Sequence, residues 1–233
     1  MKPKTTPNSR RAFMGTLAAG ATVGLSMISE PIEAKFNSEL FSPPLGSVDA
    51  DKINAALKKI GKKKHPVCYD VSAANWWGTI WSNVYYMTNQ ETGTPAAELG
   101  VMNVLRHDGI LFSLHDDVVK KYNLAEILRF KNPHTGEPGA SNPLYEPKEG
   151  FMPMPVLKGI KGLQDMGAEF CTCNMAYKHY SMVVAEKAGK KPEEVYKEFV
   201  EAKHPDIALA PSGVWVLGRL ASNGIAYIDA SVG

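Results

Sequence analysis

From about residue 50 onward, short apolar runs alternate with amphipathic stretches of ten or more residues. Ile53, Ala56, Leu57 and Ile60 recur at helical spacing, with Asp49 or Asp51 before them as a cap and Gly61 after them as a stop. Val67, Cys68, Tyr69 and Val71 then mark a strand over 65–71. Residues 74–88 read as a helix with an aromatic stripe. Trp77, Ile80, Trp81, Val84 and Met87 fall on one arc, expected to face a sheet, and Asn75, Thr79, Ser82, Asn83 and Tyr86 fall on the other.

A second strand spans 99–105 and runs into the turn Arg106-His107-Asp108-Gly109. Leu111, Leu114, Val118 and Tyr122 predict a helix over 110–122. Residues 131–155 carry nine prolines and glycines and read as one long loop, placed either as a lid over the strand ends or as an arm to a neighbouring subunit. Beyond it the pattern predicts helices over 156–167, 175–189, 192–203 and 214–223, and strands over 168–173, 207–210 and 225–229. Pro211-Ser212-Gly213 forms the turn after the fourth strand.

Strands separated by helical connections imply βαβ units, hence a three-layer α/β/α open sheet of about five mainly parallel strands, of the flavodoxin-like type. In such sheets ligands sit beyond the carboxyl ends of the strands. That rule singles out residues 72–75, His107 to Gly109, Cys173-Asn174 and Pro211-Ser212-Gly213. No Gly-x-Gly-x-x-Gly follows a strand, so no dinucleotide is expected, and the sequence points to no cofactor.

The N-terminus has a different character. Ser9-Arg10-Arg11-Ala12-Phe13-Met14 leads into an apolar run of about fifteen residues ending at Ile28, too short for a bilayer span. This is the pattern of a twin-arginine export signal over residues 1–34, with Arg10 and Arg11 read by the export machinery and the periplasm as destination. Ile32-Glu33-Ala34 is a weak cleavage pattern, and an uncleaved segment would serve as a membrane tether. Residues 35–61 then comprise a linker and the short helix, and 62–233 the α/β domain with its insertion at 131–155. Without the signal the chain is close to neutral, which argues against nucleic acid as a partner.

Three cysteines outside the cytoplasm are an odd count, so at least one thiol stays free of an intramolecular bridge. Cys171 and Cys173 stand two apart on one strand, with Cα atoms about 6.5 to 7 Å apart, at the limit for a disulfide. Cys173 is last on its strand and directly precedes a helix, whose N-terminus stabilises a thiolate. Cys171 and Cys68 lie deeper and are expected to be buried and inert.

The strand leading into Cys173, the Pro211-Ser212-Gly213-Val214 turn and Asn223-Gly224-Ile225-Ala226-Tyr227-Ile228 occur in the order found in DsrE-like proteins. Arg106-His107-Asp108-Gly109-Ile110 and Phe112-Ser113-Leu114 resemble the second strand of that family and its turn, so the resemblance covers about residues 65–229. It implies a flavodoxin-like fold, small homo-oligomers, and a cysteine at the position of Cys173 that accepts a persulfide and passes it on. His107, Asn174, Ser212 and Gly213 are then the expected ligand-binding neighbours. Where sulfur-relay members carry a basic, glycine-containing stretch, this chain has Tyr177-Lys178-His179-Tyr180.

Two other readings stand beside sulfur handling. A soft metal such as copper would draw on Cys171, Cys173, His107, His115 and His179, with Met152 and Met154 from the loop, although their spacing matches no standard zinc site. A non-catalytic periplasmic protein would bind a small molecule or a partner, or simply oligomerise. One cysteine does not make an enzyme, and none is assigned.

Overall fold

In the computed structural model, which describes residues 48–231, five strands form one parallel sheet in the order β4-β3-β2-β1-β5. They are β1 (His65–Val71), β2 (Leu99–Leu105), β3 (Glu169–Cys173), β4 (Ala208–Ala210) and β5 (Ala226–Asp229). The register is direct: His65 pairs with Leu99, Met102 with Glu169, Cys171 with Ala208 and Val67 with Ala226. This is the expected three-layer α/β sheet. The proposed export signal of residues 1–34 lies outside the described residues.

The helices are α1 (Ala50–Gly61), α2 (Trp77–Glu91), α3 (Asp116–Lys121), α4 (Leu124–Ile127), α5 (Ile160–Asp165), α6 (Asn174–Ala188), α7 (Pro192–Glu201) and α8 (Gly213–Leu217). Strand order explains their distribution. From β1 to β4 each crossover steps the same way, and right-handed crossovers put every intervening helix on one face. There Ile80, Tyr177, Val184, Val195 and Phe199 pack on Val67, Tyr69, Val101, Phe170 and Leu209.

The connection from β4 to β5 returns across the whole sheet, so α8 lies on the opposite face. It shares that face with α1, where Ile53, Leu57, Ile60 and Val216 cover Cys68, Met102, Val104, Cys171 and Ala208. Removing each of these large side chains from water contributes about 1.5 to 3 kcal/mol. Asp49 joins α1 to the edge strand, its N–H donating to the carbonyl of Leu209 and its carboxylate accepting the Leu209 N–H, at 2.8 and 2.7 Å.

Helix α2 corrects the expected wheel. Its polar arc faces inward: Thr79, Ser82, Asn83 and Tyr86 are buried, whereas Val84 is exposed. The reason is a polar residue inside the sheet, Asn103 of β2, whose amide donates to Ser82 at 3.0 Å and draws that face of the helix down. The tryptophans turn to the flank, where Trp77 lies against Trp76 and Trp81, and Trp76 against His134 and Phe151 of the loop.

The helix expected over 110–122 is also corrected. A 3₁₀ segment, His107–Ser113, ends at Leu114, which bridges Lys203, and α3 starts afresh. Ser113 explains the break, because its hydroxyl is bound by Thr172 and Tyr177 in the core at 3.0 and 2.7 Å. The predicted helices over 156–167 and 214–223 shrink to α5 and α8.

The long loop is pinned to the body. Leu144, Met152 and Leu157 enter the first-face core, and the Asn142 amide donates to the carbonyls of Phe112 and Leu114, both at 3.0 Å. Strand β5 is an edge, with Tyr227 and Ile228 exposed.

Candidate functional site

After β3 the chain turns to the first face through α6; after β4 it turns to the second through α8. Two neighbouring strands whose chains leave in opposite directions open a crevice at their carboxyl ends. A cleft of about 330 Å³ lies there, lined by Arg106, His107, Cys173, Met175, Ala176, His179, Tyr180, Ser212, Gly213 and Val214. None of the residues of the 131–155 loop lines it, so the lid expected over the strand ends does not cover this cleft.

Cys173 ends β3 in an extended conformation and caps α6, its Sγ accepting the N–H of Ala176 at 3.4 Å. A fifteen-residue helix directs its positive end at this sulfur. The other two cysteines differ. Cys68 and Cys171 are fully buried under the second face, and burial pushes both thiols well above their ordinary range. All three are free thiols, so the two on β3 are not bridged.

His107 follows β2 with a left-handed φ of 50°, unusual away from glycine, and its side chain is half exposed. Three contacts hold this turn: Asp108 N–H to Ser72 O, Gly109 N–H to Arg106 O, and His107 Nδ1 3.0 Å from Asp108 Oδ1. Residue 109 must be glycine for the turn to approach β1, because a Cβ there would lie 2.3 Å from the carbonyl oxygen of Val71. Asp108 is buried. It also accepts from the hydroxyl of Tyr180, and from Nε and Nη2 of Arg129 at 2.8 and 2.6 Å respectively. Burial and then the adjacent carboxylate push the Tyr180 phenol up, so it stays a donor.

Arg106 enters from the end of β2. Its Nε and Nη2 donate to the two oxygens of Asp70, at 2.6 and 2.8 Å, and Asp70 is fully buried. The hydroxyl of Tyr227 on β5 donates to the same carboxylate at 3.0 Å. Gly213 makes room for the arginine, since a Cβ there would lie 2.7 Å from the Arg106 Cβ. Ser212 caps α8 by accepting the Trp215 N–H at 3.1 Å.

Of the residues expected from sequence, Cys173, His107, Ser212 and Gly213 share the cleft. Asn174 does not line it: it is buried, and its Oδ1 accepts from Tyr196 of α7 at 2.7 Å. Of the suggested metal donors, Cys173, His107 and His179 border the cleft and the others lie elsewhere. Cys171 is inside the second-face core, His115 lies on His204, and Met152 packs into the first-face core. Among the described residues no three His, Cys, Asp or Glu side chains come together as a metal site. Arg106, Asp70 and Tyr180 escaped sequence reading as site residues, whereas Asp108 fell within the 107–109 turn singled out there. The available signal was position, since Arg106 directly follows β2 and Val71 pairs with Leu105.

Comparison with known protein families, with curated proteins and with solved structures yields no match.

Proposed function

We propose that this is an exported DsrE-like protein that handles sulfur, or a small thiol-reactive ligand, through Cys173. The observation that carries this reading is that Cys173, unlike the fully buried Cys68 and Cys171, lines this cleft, with its sulfur on the first-turn N–H of α6. In the simplest step the Cys173 thiolate attacks the outer sulfur of a persulfide, R–S–SH. A new S–S bond forms to Cys173, the donor's S–S bond breaks, the donor leaves as the thiolate RS⁻, and the proton stays on the transferred sulfur. No net oxidation occurs. His107, Ser212 and Gly213 border the incoming group.

Periplasmic destination follows from the twin-arginine pattern at Arg10 and Arg11. Homo-oligomers follow from the family resemblance, and the exposed Tyr227 and Ile228 on the edge strand β5 favour self-association there. A purely structural, non-catalytic role has that same edge in its favour.

The test is the intact mass of the protein after incubation with a low-molecular-weight persulfide, before and after reduction. One added sulfur mapping to Cys173, and absent from Cys173→Ser, is the expected result. Equal loading of Cys173→Ser would remove the basis of the proposal.

A further inference from the structure

We infer that the cleft takes a small organic oxyanion, a sulfonate-type or carboxylate head on a short apolar body, with the head on Arg106 and the reacting atom at Cys173. The inference rests on the reading of Cys173 as a reactive thiol and adds the chemical class of its ligand.

The first argument is the unused edge of the guanidinium. Arg106 meets Asp70 side-on, through Nε and Nη2. A guanidinium has five N–H groups in a planar fork, and this pairing occupies one edge only. Among the described residues Nη1 has no hydrogen-bond partner, and the side chain is 30% exposed where it borders the cleft. The buried Asp70 fixes the orientation of the fork and Gly213 packs against its stem, so the free edge is held in place before any ligand arrives.

The second argument is the sign of the wall. No lining residue is acidic, whereas Arg106, His107 and His179 all border the space. The nearest carboxylates are engaged elsewhere. Asp70 holds Arg106 and Asp108 holds His107, while Asp229 accepts the Ser231 N–H at 2.9 Å. The N-terminus of α6 adds positive potential from below.

Size completes the class. About 330 Å³ is at the small end of ligand pockets. Met175 and Val214, both exposed at the rim, give an apolar wall suited to a short organic body.

The experiment compares alkylation of Cys173 in the full chain by iodoacetate, which carries a carboxylate, and by iodoacetamide, its neutral counterpart, with labelling mapped by mass. The ratio of the two rates is expected to exceed that of free cysteine in the same buffer, and to fall about tenfold in Arg106→Gln, the loss of one charge-assisted hydrogen bond. A ratio equal to that of free cysteine, or unchanged in the variant, overturns the inference and leaves the Cys173 reading intact. Absence of labelling by either reagent on the native protein defeats the Cys173 reading itself. The unsubstituted protein supplies a second measurement in case Arg106→Gln fails to fold. Methanesulfonate and acetate are expected to slow iodoacetate labelling, and the neutral dimethyl sulfone at equal concentration and ionic strength is not. Protection by only one anion assigns the head group; equal effects of anions and sulfone overturn the inference.

Discussion

Nδ1 of His107 lies 3.0 Å from Oδ1 of Asp108, and the same carboxylate is held from behind by Arg129 and Tyr180. A histidine oriented by a buried acid beside a thiol is an arrangement that raises thiolate reactivity. Asp108→Asn keeps the shape of the side chain and removes the negative charge beside His107 Nδ1. Alkylation of Cys173 at pH 7 is expected to slow about threefold or more. His107→Gln should act the same way. An unchanged rate in both variants would mean that the His107–Asp108 pair only shapes the turn.

Asp70 is buried against Arg106 and Tyr227, which ties the ends of β1, β2 and β5 together. Breaking a fully buried ion pair costs about 3 to 5 kcal/mol. Arg106 is partly exposed, so water recovers part of that cost. Asp70→Asn is therefore expected to lower unfolding stability by about 2 kcal/mol, read as a lower urea midpoint with unchanged slope. A midpoint equal to that of the parent protein would show the pair to be energetically idle.

How much of this was legible in the chain depends on the kind of signal. The strands β1 and β2 and the ends of α6 follow from apolar runs and glycine stops, which are local. The orientation of α2 was not legible, because it depends on Asn103, a polar residue buried within a strand that pattern reading treats as uniformly apolar. The same holds at the site. Cys173 and Gly213 declare themselves by their place before a helix, but Asp70 and Arg106 are 36 residues apart and meet only because β1 and β2 pair in parallel. Asn174 shows the converse. Adjacent to Cys173 in sequence, it points to Tyr196 because the first turn of α6 rotates it away from the cleft.

His204 predicts how stability varies with pH. It is buried, stacked 3.3 Å from Tyr145 and 3.9 Å from His115, and burial followed by the His115 and Lys203 charges lowers its pKa to about 4, with Asp116 and the Leu114 carbonyl opposing. The unfolded chain, with an ordinary pKa near 6.5, binds the extra proton between these values. Stability from this residue is therefore fully present above about pH 6.5 and is lost as pH falls toward 4, by on the order of 3 kcal/mol. Glu198, held down to about 2 by Lys121 and Tyr122, acts in a separate window below about pH 4.5. Urea melts from pH 7 to 4 should show the loss, and His204→Gln should flatten it. Identical slopes in the two proteins would assign the pH dependence to other groups.

The long loop offers the last prediction, because a pinned loop and a lid behave differently when released. Asn83 of α2 holds the end of the loop from both sides: its Nδ2 donates to the Lys158 carbonyl at 2.9 Å and its Oδ1 accepts the Lys158 N–H at 2.8 Å. Asn83→Ala removes both bonds and leaves the Lys158 backbone groups without these partners, at an expected cost of about 2 kcal/mol. Limited proteolysis between residues 131 and 159 should accelerate with it. Labelling of Cys173 should not change, since no residue of the loop lines the cleft. Faster labelling of Cys173 in the variant would show instead that the loop governs access to the site, and the cleft would have to be redrawn to include it.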